Sequence, residues 1–194
     1  MERKDNKLSK ILVLAFMGFT LIGMTFSFVF YGFNDGNAKA NYKGFKFKLD
    51  RQNSVWVAKI NGAYAGFSFL PNEVEDINIS ASLENLKNKF EIDTTSDMND
   101  TNIEAIALAQ HQMGITMQNY NIYIRQGMAA ANKYNISIIN CSMATPAVPV
   151  VYFKTGNKTQ ILQDGDCIIA EARSGQDAIR AKDRIIYSIL GVME

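Results

Sequence analysis

The chain has 194 residues, 47% of them hydrophobic, with 20 Lys plus Arg against 19 Asp plus Glu and a formal net charge of +1. So even a balance excludes the basic footprint of a nucleic-acid-binding protein, and the apolar content excludes a wholly disordered chain. Two cysteines, one histidine and no Cys-x-x-Cys leave no zinc knuckle and no dithiol redox motif to argue from.

The first ten residues carry Arg3, Lys4, Lys7 and Lys10 against Glu2 and Asp5 and read as a cytoplasmic tail. Ile11 to Phe33 is an unbroken, uncharged apolar run of 23 residues. As a helix rising about 1.5 Å per residue it spans about 34 Å, enough for a hydrocarbon core of about 30 Å. The run predicts a transmembrane signal-anchor with the N-terminus inside and the remainder of the chain outside. Lys39, Lys43, Lys46, Lys48 and Arg51 compete on the far side, but a long folded domain translocates largely regardless of charge. The rival reading is a cleaved leader, since Ala38-Lys39-Ala40 has the small-x-small form of a cleavage site. Gly18 and Gly23 lie five apart in the run, which is not the G-x-x-x-G spacing of a helix-dimer motif.

After a linker over 34–42, residues 43–194 form one predicted exported domain of α+β class, a mixed sheet covered by two or three helices. Phe45, Phe47 and Leu49 alternate with lysines and predict a strand. Val55–Ile60 and Ala63–Leu70 follow as strands around the Asn61-Gly62 turn. Residues 71–80 read as a connection, 82–88 as a short helix and 90–94 as a strand. A helix is predicted from Thr101 to about Gln118, capped by Thr101 with Glu104 closing a capping box. Its apolar face is Ile103, Ile106, Ala107, Met113 and Met117, interrupted by Gln110. Further strands are predicted over 121–126 and 136–140, with a helical turn at 128–134 between them. Residues 148–153, 159–163 and 167–172 read as a second meander. The last helix runs from about Gly175 to Leu190, capped by Ser174 with Asp177 at its third position. Its stripe of Ala178, Ala181, Ile185, Ile186 and Ile189 faces the core, and Arg180, Lys182, Asp183 and Arg184 face water. Gly191 ends it.

Five Asn-x-Ser/Thr triplets, at Asn78, Asn99, Asn135, Asn140 and Asn157, exceed the roughly two expected from 18 Asn and 20 Ser plus Thr. They are N-glycan acceptors in an exported glycoprotein, or accidents of an Asn-rich chain. Asn140 is the poorest acceptor, with Cys141 in its middle position. Cys141 and Cys167 form one disulfide in an oxidising compartment, or else two buried thiols. Asp93, Asp97 and Asp100 lie between a strand and a helix. They could hold Ca²⁺ or Mg²⁺ through oxygen, or simply solvate a turn at a helix N-terminus. His111 stands alone within a helix, so no Ser-His-Asp or Cys-His set can be assembled around a second histidine.

Two resemblances add to this. The run from Ser142 through Pro146, Pro149 and Phe153 to Gly156 resembles the thioredoxin-fold segment in which a proline precedes an apolar strand, although the paired active-site cysteines are absent. The layout, with Leu70-Pro-Asn-Glu-Val74, Gly165-Asp-Cys167-Ile-Ile and Ala181-Lys-Asp183-Arg184-Ile-Ile-Tyr187-Ser-Ile-Leu190-Gly191, resembles uncharacterised archaeal single-span membrane-anchored envelope proteins. That resemblance implies a location and no activity. The expectation is therefore a single-pass, non-enzymatic binding or structural subunit of an envelope complex. Its partners would be the bilayer through 11–33 and a protein or a second copy, with no nucleic acid and no cofactor. An anchored metal-dependent hydrolase, or a thioredoxin-like redox accessory using Cys141 and Cys167, is the alternative.

Overall fold

The computed structural model describes residues 38–80 and 82–193. The predicted tail, the anchor over 11–33 and the start of the linker lie outside the described residues. Among the described residues no helix is long and apolar enough to cross a membrane.

The fold is α+β, with two helices and two sheets. The first sheet is an antiparallel meander in chain order: β1 (Lys39–Tyr42), β2 (Phe45–Asp50), β3 (Val55–Ile60) and β4 (Ala63–Phe67). Two-residue turns join its ends. Asn61 and Gly62 have φ of 48° and 90°, and Lys43 and Gly44 have φ of 44° and 89°. Positive φ at both central residues is the type I′ geometry whose twist matches paired strands. The Lys43-Gly44 turn adds β1 to the sheet, so strand occupies 39–42, within the stretch read as linker.

The second sheet has six strands: β5 (Asn78–Ile79), β6 (Glu91–Thr95), β7 (Tyr123–Gln126), β8 (Val150–Thr155), β9 (Gln160–Asp164) and β10 (Cys167–Ala172). Their order is β5-β9-β10-β8-β6-β7. The pairs β7–β6, β6–β8 and β8–β10 are parallel, and β9 runs antiparallel to β10. The C-terminal strands are therefore not a meander: β10 inserts between β9 and β8. Val150, Val151 and Phe153 are wholly buried, as are Cys167, Ile168 and Ala170. Two such runs, apolar on both faces, suit adjacent parallel strands better than a solvated hairpin.

Helix α1 (Ile103–Gln118) crosses from β6 to β7, and α2 (Gly175–Ile189) follows β10. The helices pack side by side. α2 rests on β8 and β10, while α1 rests on β7 and touches β4. The meander closes over the other side of α2. The Tyr187 ring stacks on Phe67 at 4.1 Å between centroids and meets Phe47 edge-on at 6.1 Å. α2 thus has a sheet on each side, and every residue from Ala181 to Leu190 is buried.

This overturns the solvated face expected for that helix. Lys182, Asp183 and Arg184 are all buried. The reason is the unpaired backbone at the end of β4. Asp183 Oδ2 accepts the N–H groups of Ser68 and Phe69, both at 2.9 Å, and Oδ1 meets Lys182 Nζ at 2.5 Å. Tyr187 OH donates to Phe69 O at 2.7 Å, and Arg184 Nη1 donates to Ser188 Oγ at 2.6 Å. A buried charge is tolerable only with such partners. Only Arg180 of the set reaches outward, where it is held by Asp177 at 2.9 Å, by Glu73 O and by Asp76.

Smaller differences have local causes. Residues 83–86 are a single 3-10 turn, and 71–73 another. α1 starts at Ile103 behind Asn102, with no side-chain cap from Thr101. The predicted helical turn at 128–134 and strand at 136–140 reduce to one parallel bridge between Met128 and Ile138. α2 is capped as expected: Ser174 Oγ accepts the Asp177 N–H at 3.2 Å, and Gly191 follows with φ of 75°.

Candidate interaction surface

In an open α/β sheet the ligand crevice lies where the chain reverses direction across the sheet, outside the carboxyl ends of the strands. Here the chain leaves β6 through α1 to β7 on one side and returns to β8 on the other, so the crevice lies between the ends of β6 and β8. Asp100 fills it. Its Oδ1 accepts the Asn102 N–H at 2.8 Å and Thr155 Oγ1–H at 2.5 Å, and its Oδ2 accepts the Thr155 N–H at 2.7 Å. Asn102 Nδ2 donates to Thr155 Oγ1 at 2.9 Å. Burial pushes the Asp100 carboxyl up, but the bonds from Thr155 and Asn102 hold it net below the usual carboxylate value.

The other two acids read as metal ligands sit elsewhere. Asp93 is buried on β6 and makes a bidentate pair with Arg125 of β7 at 2.8 and 2.6 Å, with Glu91 3.2 Å from the same guanidinium. Asp97 is exposed and accepts the Asn99 N–H at 2.8 Å. Among the described residues no three acidic, His or Cys side chains are grouped to hold a metal. The three aspartates bind backbone, hydroxyl and guanidinium groups instead.

Cys141 and Cys167 lie at disulfide distance, with Cα atoms 5.2 Å apart and a sequence separation of 26. The bridge ties the segment after Ile139 to β10. Beneath it Ile139, Val150 and Cys167 form a small second core on the outer face of the sheet. Asn78, Asn99, Asn135 and Asn157 are all exposed. Asn140 is half-buried, and its Oδ1 accepts Ser142 N–H and Oγ–H at 3.1 and 2.6 Å.

One flank of the molecule has a different character. The solvent side of α1 is Glu104, Ala107, Leu108, His111, Ile115 and Gln118. Leu108 is 48% exposed and Ile115 56%. Glu104 is the only charge in the whole helix, whereas a surface helix normally carries charges opposite its buried stripe. His111 belongs to this face. Beside it runs β7, the last strand of the six-stranded sheet.

Unpaired strand edges are ordinarily blunted. The other three edges are. β1 lies among Lys39, Lys43, Lys46 and Lys48. β4 offers the carbonyls of Tyr64 and Gly66 to Asn119 Nδ2 and Thr116 Oγ1 of α1, at 2.9 and 3.2 Å. β5 is two residues long. Among the described residues β7 has no such cover between residues 122 and 126. Tyr123 N–H bonds to Phe90 O and Gly127 N–H to Thr94 O, so alternation turns the N–H and C=O of Ile124 and Gln126 outward. Past that point the chain is occupied again: Met128 bonds to Ser137 O and to Ile139 N–H. Between the edge and α1 opens a cleft of about 490 Å³ lined by Gly114, Gln118, Asn121, Ile122, Tyr123 and Ile124.

Leu108 and Ile115 were absent from the residues expected to matter. The readable signal was a 16-residue helix with a single charge, apolar on more than one face. Compared with protein-family models, curated proteins and solved structures, the chain matches none.

Proposed function

We propose that the chain is a membrane-anchored exported domain serving as a binding or structural subunit of an envelope assembly. The observation that carries this reading is the charge-poor flank of α1, with Glu104 at one end, beside the open edge of β7. Exposed apolar surface of this kind marks a place where a protein meets another. At the crevice between the ends of β6 and β8, Asp100 is engaged by Asn102 and Thr155. The apolar run at 11–33 supports the anchor, and Arg3, Lys4, Lys7 and Lys10 before it support an inward N-terminus. The cysteine pair at bonding distance supports an oxidising compartment, and four exposed sequons support glycans there.

The test is to extract the full-length protein from its native membrane in mild detergent and identify what stays with it. A defined complex, of copies or of other subunits, supports the reading. A monomer with no companion at native abundance removes it.

A further inference from the structure

We propose that the occupant of this flank is a second copy of the chain, joined across a two-fold axis by antiparallel pairing of β7 with the partner's β7 and of α1 with the partner's α1. The inference rests on the assembly reading above and names its partner.

The open edge fixes the register. It spans residues 122–126, closed on one side by the Ile122 N–H bond to Met117 O and on the other by the segment holding Met128. Pairing that window with itself, antiparallel, centres the axis on Ile124. Ile124 then exchanges both backbone bonds with the partner's Ile124, and Gln126 N–H donates to the C=O of the partner's Ile122. On the outer face this register sets Tyr123 opposite the partner's Arg125, an aromatic–guanidinium pair with no like charges face to face. A register shifted one residue toward the C-terminus would instead oppose Arg125 to the partner's Arg125.

Charge is compatible with a like partner. Arg125 is already neutralised within its own sheet by Asp93 and Glu91, and Glu104 lies at the far end of α1. On the helix side, Leu108 and Ile115 come from one copy and the apolar floor of the cleft, Ile122 and Ile124, from the other. The area is adequate. A helix of 16 residues is about 24 Å long, and helix plus strand edge are about 20 Å deep. That is on the order of 500 Å² per copy and about 1,000 Å² in total, near the lower bound of specific interfaces. Two-fold, self-complementary contact is also the commonest symmetry of soluble oligomers.

The experiment measures the mass of the full chain in mild detergent by light scattering across protein concentration, for the native sequence, the double variant Leu108→Glu/Ile115→Glu, and Gln126→Pro. Proline there removes an outward N–H and leaves the bonds to β6 in place. The native protein is expected as a dimer, and each variant to halve in mass at the same concentration, with its melting transition kept as proof of folding. A native monomer, or a folded double variant that stays dimeric, overturns the proposal. A native monomer that leaves its membrane bound to a different subunit overturns self-pairing while sparing the assembly reading. A monomer without companions removes both.

Discussion

Asp183 is the residue on which the two sheets depend. It is fully buried, and it satisfies two N–H groups of the meander and the ammonium of Lys182 at once. Asp183→Ala orphans all three and should cost about 3–5 kcal/mol of unfolding free energy in a urea titration. The double variant Lys182→Met/Asp183→Asn keeps an acceptor for the backbone and removes both charges, so it should recover most of that loss. Acid reads a different pair. Burial pushes the carboxyls of Asp100 and Asp177 up, yet their hydrogen-bond partners, Thr155 and Asn102 for one and Arg180 and Ser174 for the other, hold both net below the ordinary value. A carboxyl with a lowered folded pKa stabilises the fold above its unfolded value of about 3.9, and that stability is lost as pH falls through the folded value. Asp100→Asn and Asp177→Asn should therefore flatten the loss of stability below about pH 4, followed by denaturant midpoints from pH 7 to pH 2. At the cysteines, reduction opens a loop of 26 residues and should cost about 3 kcal/mol by loop entropy, seen as a lower melting temperature under thiol.

At the scale of elements, α1 carries one internal flaw. Gln110 is buried with its Nε2 unpartnered. Gln110→Met fills the same volume without an orphan donor and should stabilise by about 1 kcal/mol, measured as a shifted urea midpoint at constant slope. Elements whose information is local were legible in the sequence. The Asn61-Gly62 hairpin, the Ser174 cap with Asp177, and the strand–helix–strand from Glu91 to Gln126 follow from turn chemistry, capping and periodicity. What was not legible depends on distant partners. The insertion of β10 between β8 and β9 is a choice among pairings that all satisfy the same apolar pattern. Lys182 and Asp183 read as a wet face because their cover, Ser68 and Phe69, lies more than 100 residues away. The candidate aspartates clustered in sequence, but strand direction sends Asp93 to the outer face of the sheet against Arg125 and Asp100 to the end of β8. At the flank of α1 the informative feature was a shortage of charge, which periodicity alone does not score.

At the scale of the whole molecule, the proposed glycosylation should follow exposure. Protein purified from its native source should lose mass on enzymatic deglycosylation at Asn78, Asn99, Asn135 and Asn157, mapped by peptide mass. Asn140 should stay bare, because its carboxamide holds Ser142 and its neighbour is the bridged Cys141. None of these four positions lies within α1 or β7. The central place of α2 has a consequence in time as well as in space. The meander is synthesised first, yet the helix that fills its underside is made last, with 115 residues separating Ser68 from Asp183. Until α2 arrives, Phe47 and Phe67 have only each other's rings, 6.0 Å apart, and lack the Tyr187 ring that covers them, and a β-rich chain with such distant contacts folds slowly. A nascent chain arrested before residue 175 should be cut throughout by protease, early strands included, and become resistant in one step once α2 is supplied. Whatever guards this chain against aggregation must shelter it for almost the entire length of its synthesis.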